Sequence, residues 1–158
     1  MNSIHLEGGL DHFTPADELS DSGLRRASPP KPRLLLADDD ALVRKAVFRS
    51  LSRLLNLTEP DFASVDGFES ACRVFDLHAD HLQAVVTDMN MPNHGDGLRL
   101  YRYVRAAKLL LPVVILSGGM RVEEERALDG ILASDPRSLF FPKPVSAQPL
   151  ADWIQSHW

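Results

Sequence analysis

The sequence predicts an α/β fold, a doubly wound five-stranded parallel sheet with helices on both faces. Three observations carry this. Five short apolar runs alternate with five helical patterns between residues 33 and 158. Within the runs, apolar residues are continuous rather than alternating, as strands covered on both faces require. Acidic or hydroxyl residues directly follow the first, third and fourth runs and a lysine stands one proline past the fifth; the carboxyl ends of parallel strands are where such sheets place their binding groups.

Taken in order, Leu34-Leu35-Leu36-Ala37 is the first strand, closed by Asp38-Asp39-Asp40. Residues 41–55 then put Val43, Val47, Leu51, Leu54 and Leu55 on one helical face and Arg44, Lys45, Arg49 and Arg53 elsewhere. Asp40 is the N-cap, before Ala41. Phe62-Ala63-Ser64-Val65 is the second strand, and 67–78 a helix with Phe68, Ala71, Cys72 and Phe75 at helical spacing. Ala84-Val85-Val86-Thr87 runs into Asp88, and 98–109 is the third helix. Val113-Val114-Ile115-Leu116 is the clearest buried strand, followed by Ser117-Gly118-Gly119. A helix over 122–132, a strand Leu139-Phe140-Phe141 and a helix over 147–157 complete the pattern. Right-handed crossovers close it into an open sheet; 2-1-3-4-5 is the order expected of five such units, an expectation that rests on the resemblance described below.

The chain has 158 residues, the length of one domain with a tail. Apolar residues at 44% and charged residues at 25% are ordinary globular values. Acids outnumber bases 22 to 17, a net charge of −5 that argues against unaided nucleic-acid binding. The single cysteine, Cys72, excludes an internal disulfide framework and a cysteine-based zinc finger. No apolar run approaches the roughly 20 residues that span a bilayer, so a cytoplasmic, membrane-free protein is expected. Half of residues 1–32 are Ser, Asp, Glu, Pro or Gly, which predicts a disordered arm ending at Pro29-Pro30-Lys31-Pro32. The folded domain is expected over 33–158.

The residues after the strands carry the chemistry. The fold brings Asp38 and Asp39, Asp88, Ser117 and Lys143 to one edge, although they are far apart in sequence. Three carboxylates held close repel, and a divalent cation relieves that cost. An all-oxygen set with few protein ligands, leaving positions for water and phosphate, favours Mg²⁺ over Ca²⁺. A lysine ammonium and a serine hydroxyl supply donors for phosphate oxygens. The set is suited to accepting a phosphoryl group on an aspartate. Each piece alone is bland: an acidic triplet is commonly a helix cap, Lys-Pro a turn and Ser-Gly-Gly a loop. The joint pattern points to a site.

Four segments together resemble the signature of response-regulator receiver domains: Leu34–Asp40, Val85-Val86-Thr87-Asp88-Met89-Asn90-Met91-Pro92, Ile115-Leu116-Ser117-Gly118 and Phe140-Phe141-Pro142-Lys143-Pro144. The resemblance covers about 33–158 and implies a flavodoxin-like fold like that of the chemotaxis regulator. It implies Asp88 as phosphoacceptor, Asp38 and Asp39 as the acid pair holding Mg²⁺, and Asn90 as the residue lending a backbone carbonyl to the metal. It implies Ser117 as the switch hydroxyl, Lys143 as the phosphate-pairing lysine and Phe140 as the switch aromatic. A histidine kinase or histidine phosphotransfer protein is the implied donor. A downstream protein partner is the implied target, read from the face of the fourth helix, fifth strand and fifth helix. The domain is expected as a monomer or a phosphorylation-dependent dimer.

The match has three departures. The loop 92–97 is one residue longer than usual, Ser117 and Lys143 stand 26 positions apart with extra length around 133–138, and Phe140 lacks a hydroxyl. A plain core phenylalanine is the alternative for Phe140. His78, His81 and His94 are read as solvated or undecided, Cys72 as packing, and Trp153 and Trp158 as either core and terminus or partner anchors. With no effector motif after Trp158, the expectation is a stand-alone receiver acting by contact, or an intermediate or sink in a phosphorelay. The alternatives from other classes are a Mg²⁺-dependent aspartyl-phosphate phosphatase and a phosphorylation-independent scaffold. For the phosphatase, Asn90 stands where a second acid is wanted.

Overall fold

The computed structural model describes residues 31–108, 110–119 and 121–158. Of the disordered arm expected over residues 1–32, residues 1–30 lie outside the described residues. The elements are β1 (Leu34–Ala37), α1 (Ala41–Leu54), a 3-10 turn (Glu59–Asp61), β2 (Phe62–Val65), α2 (Phe68–His78), β3 (Ala84–Asp88), α3 (Asp96–Ala107), β4 (Val113–Ser117), α4 (Val122–Ser134), β5 (Ser138–Pro142) and α5 (Ala147–Ser156). All strands are parallel, in the order β2-β1-β3-β4-β5. This is the predicted architecture. Among the described residues, no helix is long and apolar enough to cross a membrane.

The continuous apolar runs have the expected cause. Successive side chains of a strand point to opposite faces, and both faces of this sheet are covered. Leu34 and Leu36 join Val47, Leu51, Leu150 and Ile154 in a core beneath α1 and α5. Leu35 and Ala37 join Phe75, Leu100, Val104, Ile115 and Leu128 beneath α2, α3 and α4. Each such buried Leu or Phe contributes about 1.5–3 kcal/mol, so the two layers hold the sheet rigid beneath its loops. The edge strands β2 and β5 are only half-buried.

Local signals set most boundaries. The Asp40 carboxylate accepts from the N–H groups of Leu42 and Val43, capping α1 as expected. Two expectations need correction. The third helix begins at Asp96, not Leu98, because Gly95 takes a left-handed φ of 79° that turns the loop directly into the helix. It ends at Ala107. The fourth helix runs two residues past 132, to Ser134, whose Oγ bonds back to the Gly130 carbonyl. The extra length before β5 is therefore partly helix and partly the loop 135–137.

That loop is clamped from α3. The Arg105 guanidinium donates to the Asp135 carboxylate and to the carbonyls of Lys108, Leu111 and Arg137. Tyr101 Oη donates to Asp135 Oδ2 at 2.8 Å. Burial raises the Asp135 carboxyl, but the bonds from Arg105 and Tyr101 outweigh it and hold its pKa below the ordinary value.

Candidate functional site

Parallel pairing aligns the carboxyl ends of β1, β3, β4 and β5, and the polar side chains at these ends share one rim. Ala37 pairs with Thr87, Asp88 with Leu116 and Ser117 with Pro142. Asp38 follows β1 and is buried, whereas Asp39 is exposed. Asp88 is the last residue of β3 and only 7% exposed. Lys143 follows β5, where its N–H donates to the Ser117 carbonyl at 2.8 Å. The strand order reverses direction between β1 and β3, and the three acids flank that crevice.

Carboxylate oxygens of Asp38, Asp39 and Asp88 lie within 4.8 Å of one another. Lys143 Nζ is 2.8 Å from Asp38 Oδ2 and 3.1 Å from Asp88 Oδ1, so one ammonium ties two of them. The other oxygen of Asp38 accepts from the Asp40 N–H at 2.8 Å. Burial pushes the Asp88 carboxyl above its ordinary pKa, the neighbouring Asp38 charge adds to this, and Lys143 only partly opposes it. Burial would lower the Lys143 ammonium, but its bonds to Asp38 and Asp88 prevail and raise it. Three carboxylates against one ammonium leave two negative charges on a rim that faces solvent through Asp39. A divalent cation with an affinity for oxygen balances that count.

The other expected site residues lie close by in the chain with different contacts. Ser117 is buried, and its Oγ exchanges hydrogen bonds with Gly119, donating to the carbonyl at 3.1 Å and accepting from the N–H at 3.3 Å. Asn90 is half-buried, and its Oδ1 accepts from the Gly95 N–H at 3.0 Å. Phe140 is half-buried on β5, opposite Ile115, and packs on the core beneath α4. His78 is half-buried and His81 exposed, and neither belongs to a metal-ligating group among the described residues. Cys72 and Trp153 pack against the core clusters, and Trp158 lies under the Arg33 guanidinium.

Four residues around the rim escaped the sequence reading. Gly97 packs so tightly on β3 that a Cβ there would stand 2.3 Å from the Asp88 carbonyl oxygen. Its N–H donates to the Met89 carbonyl. Asp96, almost wholly buried, accepts from Asn93 and Arg99 and braces the loop 92–97. Thr87 Oγ1 donates to the Asp88 carbonyl at 3.0 Å, and an Arg44 amine donates to the Asp38 carbonyl. The longer loop 92–97 was the one signal for Gly97 and Asp96; the Thr87 and Arg44 contacts join residues one and six positions apart, and no residue pattern announces them.

Residues 34–155 match the response regulator receiver domain family. The chain belongs to that family. It is 36% identical over 119 residues to the response regulator MprA of Mycolicibacterium vanbaalenii, covering 75% of this chain and 46% of that protein. It is 32% identical over 124 residues to MprA of Mycobacterium leprae, covering 78% and 50%. The chain thus spans about half the length of the curated relatives it matches. A solved response regulator receiver protein from Pseudomonas putida superposes with a TM-score of 0.63 at 28% identity, covering 80% of this chain and 97% of that one. One from Sinorhizobium medicae gives 0.64 at 23% identity, covering 82% and 96%. The receiver fold is the flavodoxin-like sheet described above, and the family is one of signalling domains of two-component systems rather than of turnover enzymes.

Proposed function

We propose that this receiver domain accepts a phosphoryl group on Asp88 from a phosphohistidine of a histidine kinase or phosphotransfer protein. The observation that carries the reading is Lys143 bridging Asp38 and Asp88, with Asp39 completing an oxygen-only cluster. The P–N bond of the donor breaks as a P–O bond to an Asp88 oxygen forms. The imidazole leaves with the electron pair and takes up a proton. Asp88 needs no general base when ionised, and burial that disfavours its charge also strips water from the nucleophile.

The donor set fits Mg²⁺: Asp38, Asp39, Asp88 and the Asn90 backbone carbonyl would hold it. Bound there, the ion supplies charge neutralisation for the transferring phosphoryl oxygens. Lys143 orients the acyl phosphate by moving its ammonium from carboxylate to phosphate oxygen. Ser117 releases Gly119 and donates its hydroxyl to a second oxygen. Phe140 then rotates toward the space that Ser117 leaves, and the surface of α4, β5 and α5 changes for a downstream protein. Asn90 disfavours the phosphatase alternative, since its amide cannot give up and recover a proton as a carboxyl does, and its Oδ1 is taken by the Gly95 N–H. In a longer regulator the same event would act on a linked domain. As a separate cytoplasmic receiver or relay intermediate, the domain would act on a separate protein.

The test is incubation with a small phosphodonor and Mg²⁺ followed by intact mass. Wild type should gain one phosphoryl group and Asp88→Asn none; equal gain by both variants refutes the reading.

A further inference from the structure

We propose that the exposed face of α1 is a docking surface for the chain's own acidic segment, residues 11–21. α1 carries Arg44, Lys45, Arg49 and Arg53 and no acidic residue, in a chain of net charge −5. Arg44 is engaged with the Asp38 carbonyl. Lys45, Arg49 and Arg53 are exposed and recur at every fourth position, so they stand above one another on one stripe. Like charges at that spacing weaken a helix. Among the described residues none of the three has an acidic group within ion-pair distance. The fold does not use the stripe, because α1 is held to the sheet through Val47 and Leu51. Leu42, 80% exposed, extends it toward the acid cluster and offers an apolar anchor among the cations.

Residues 11–21 have the complementary chemistry. They contain Asp11, Asp17, Glu18 and Asp21, no lysine or arginine, and the apolar Phe13 and Leu19. The point of entry is also suitable. The Arg33 N–H donates to the carbonyl of Asp61, in the turn that follows α1, so the chain enters β1 beside the carboxyl end of that helix. Residues 22–30, if extended, reach about 30 Å, and α1 is about 21 Å long. The tether holds the segment at an effective concentration on the order of millimolar, so a millimolar intrinsic affinity suffices. Docked there, the segment lies beside the Asp38–Asp39 turn.

The test uses the full chain with Cys72→Ala and a spin label on Ser20→Cys. At low salt the α1 amides of residues 42–53 should broaden several-fold more than those of α3. The effect should vanish at roughly 1 M salt, where charges are screened beyond about 3 Å, and in the full chain carrying K45E, R49E and R53E. No preferential broadening of α1 at low salt overturns the proposal. Broadening that arises only between labelled and isotope-enriched chains in a mixture also overturns it, by giving the face to a second copy. Phosphoryl uptake from acetyl phosphate with Mg²⁺ is measured in parallel on the wild-type chain. Failure of uptake contradicts the acceptor reading while the broadening still decides the α1 contact.

Discussion

The ammonium of Lys143 lies 2.8 Å from the buried carboxylate of Asp38, 105 positions earlier in the chain. Only the sheet order makes them neighbours, and their pairing defines the rim of the site. Lys143→Gln removes the one cation among three carboxylates. Phosphoryl uptake from a small donor should fall on the order of 100-fold, the scale of losing one oriented donor to a developing charge. Saturating Mg²⁺ should raise the melting temperature of the variant by more than it raises that of wild type. Uptake rates within a factor of two of wild type would contradict this.

Without a cation, the three acids oppose folding. Asp88→Asn removes one charge and keeps the shape, so the variant should melt a few degrees higher than wild type in chelator, about 1 kcal/mol of relieved repulsion. Mg²⁺ should shrink the difference, because wild type then gains the tighter ion. Thermal melts with chelator and with Mg²⁺ check both signs.

Gly97 permits the close approach of α3 to β3. Gly97→Ala sets a methyl 2.3 Å from a backbone oxygen that cannot swing away. The helix must shift, at a cost of about 1–3 kcal/mol. Phosphoryl uptake should fall too, since the displaced carbonyl is that of Asp88. Urea unfolding of the variant, with the slope compared, measures the first effect.

Asp135 gives a pH signature away from the site. Its folded pKa is below the ordinary aspartate value despite burial, because Arg105 and Tyr101 bond the charged form. Its contribution is therefore full above the unfolded pKa and is lost as pH falls through the folded one. Asp135→Asn should destabilise by roughly 3 kcal/mol near neutrality, the range for breaking a shielded pair. The gap from wild type should close in strong acid. Unfolding midpoints from pH 7 down to about pH 2 check the direction.

The sheet was legible because its signals are local and redundant. Runs such as Val113–Leu116 admit little but a strand buried on both faces, and Asp40 announces α1 through its own cap. The candidate cluster was legible because parallel strands end together, so residues following β1, β3 and β5 had to converge. What escaped were features decided by tertiary contact or backbone geometry. The start of α3 depends on the left-handed Gly95, and buried Asp96 looks like any polar loop residue until Asn93 and Arg99 surround it. The extension of α4 and the loop 135–137 are explained by Arg105, whose reach to four partners no spacing in the sequence reveals.

The most direct measurement locates the modified residue. After reaction with acetyl phosphate and Mg²⁺, borohydride reduction converts an aspartyl phosphate to homoserine, and peptide mass spectrometry finds its position. The account predicts homoserine at position 88 and nowhere else. Reduction at another aspartate, or a phosphoryl group surviving on a histidine with Asp88 intact, would contradict it.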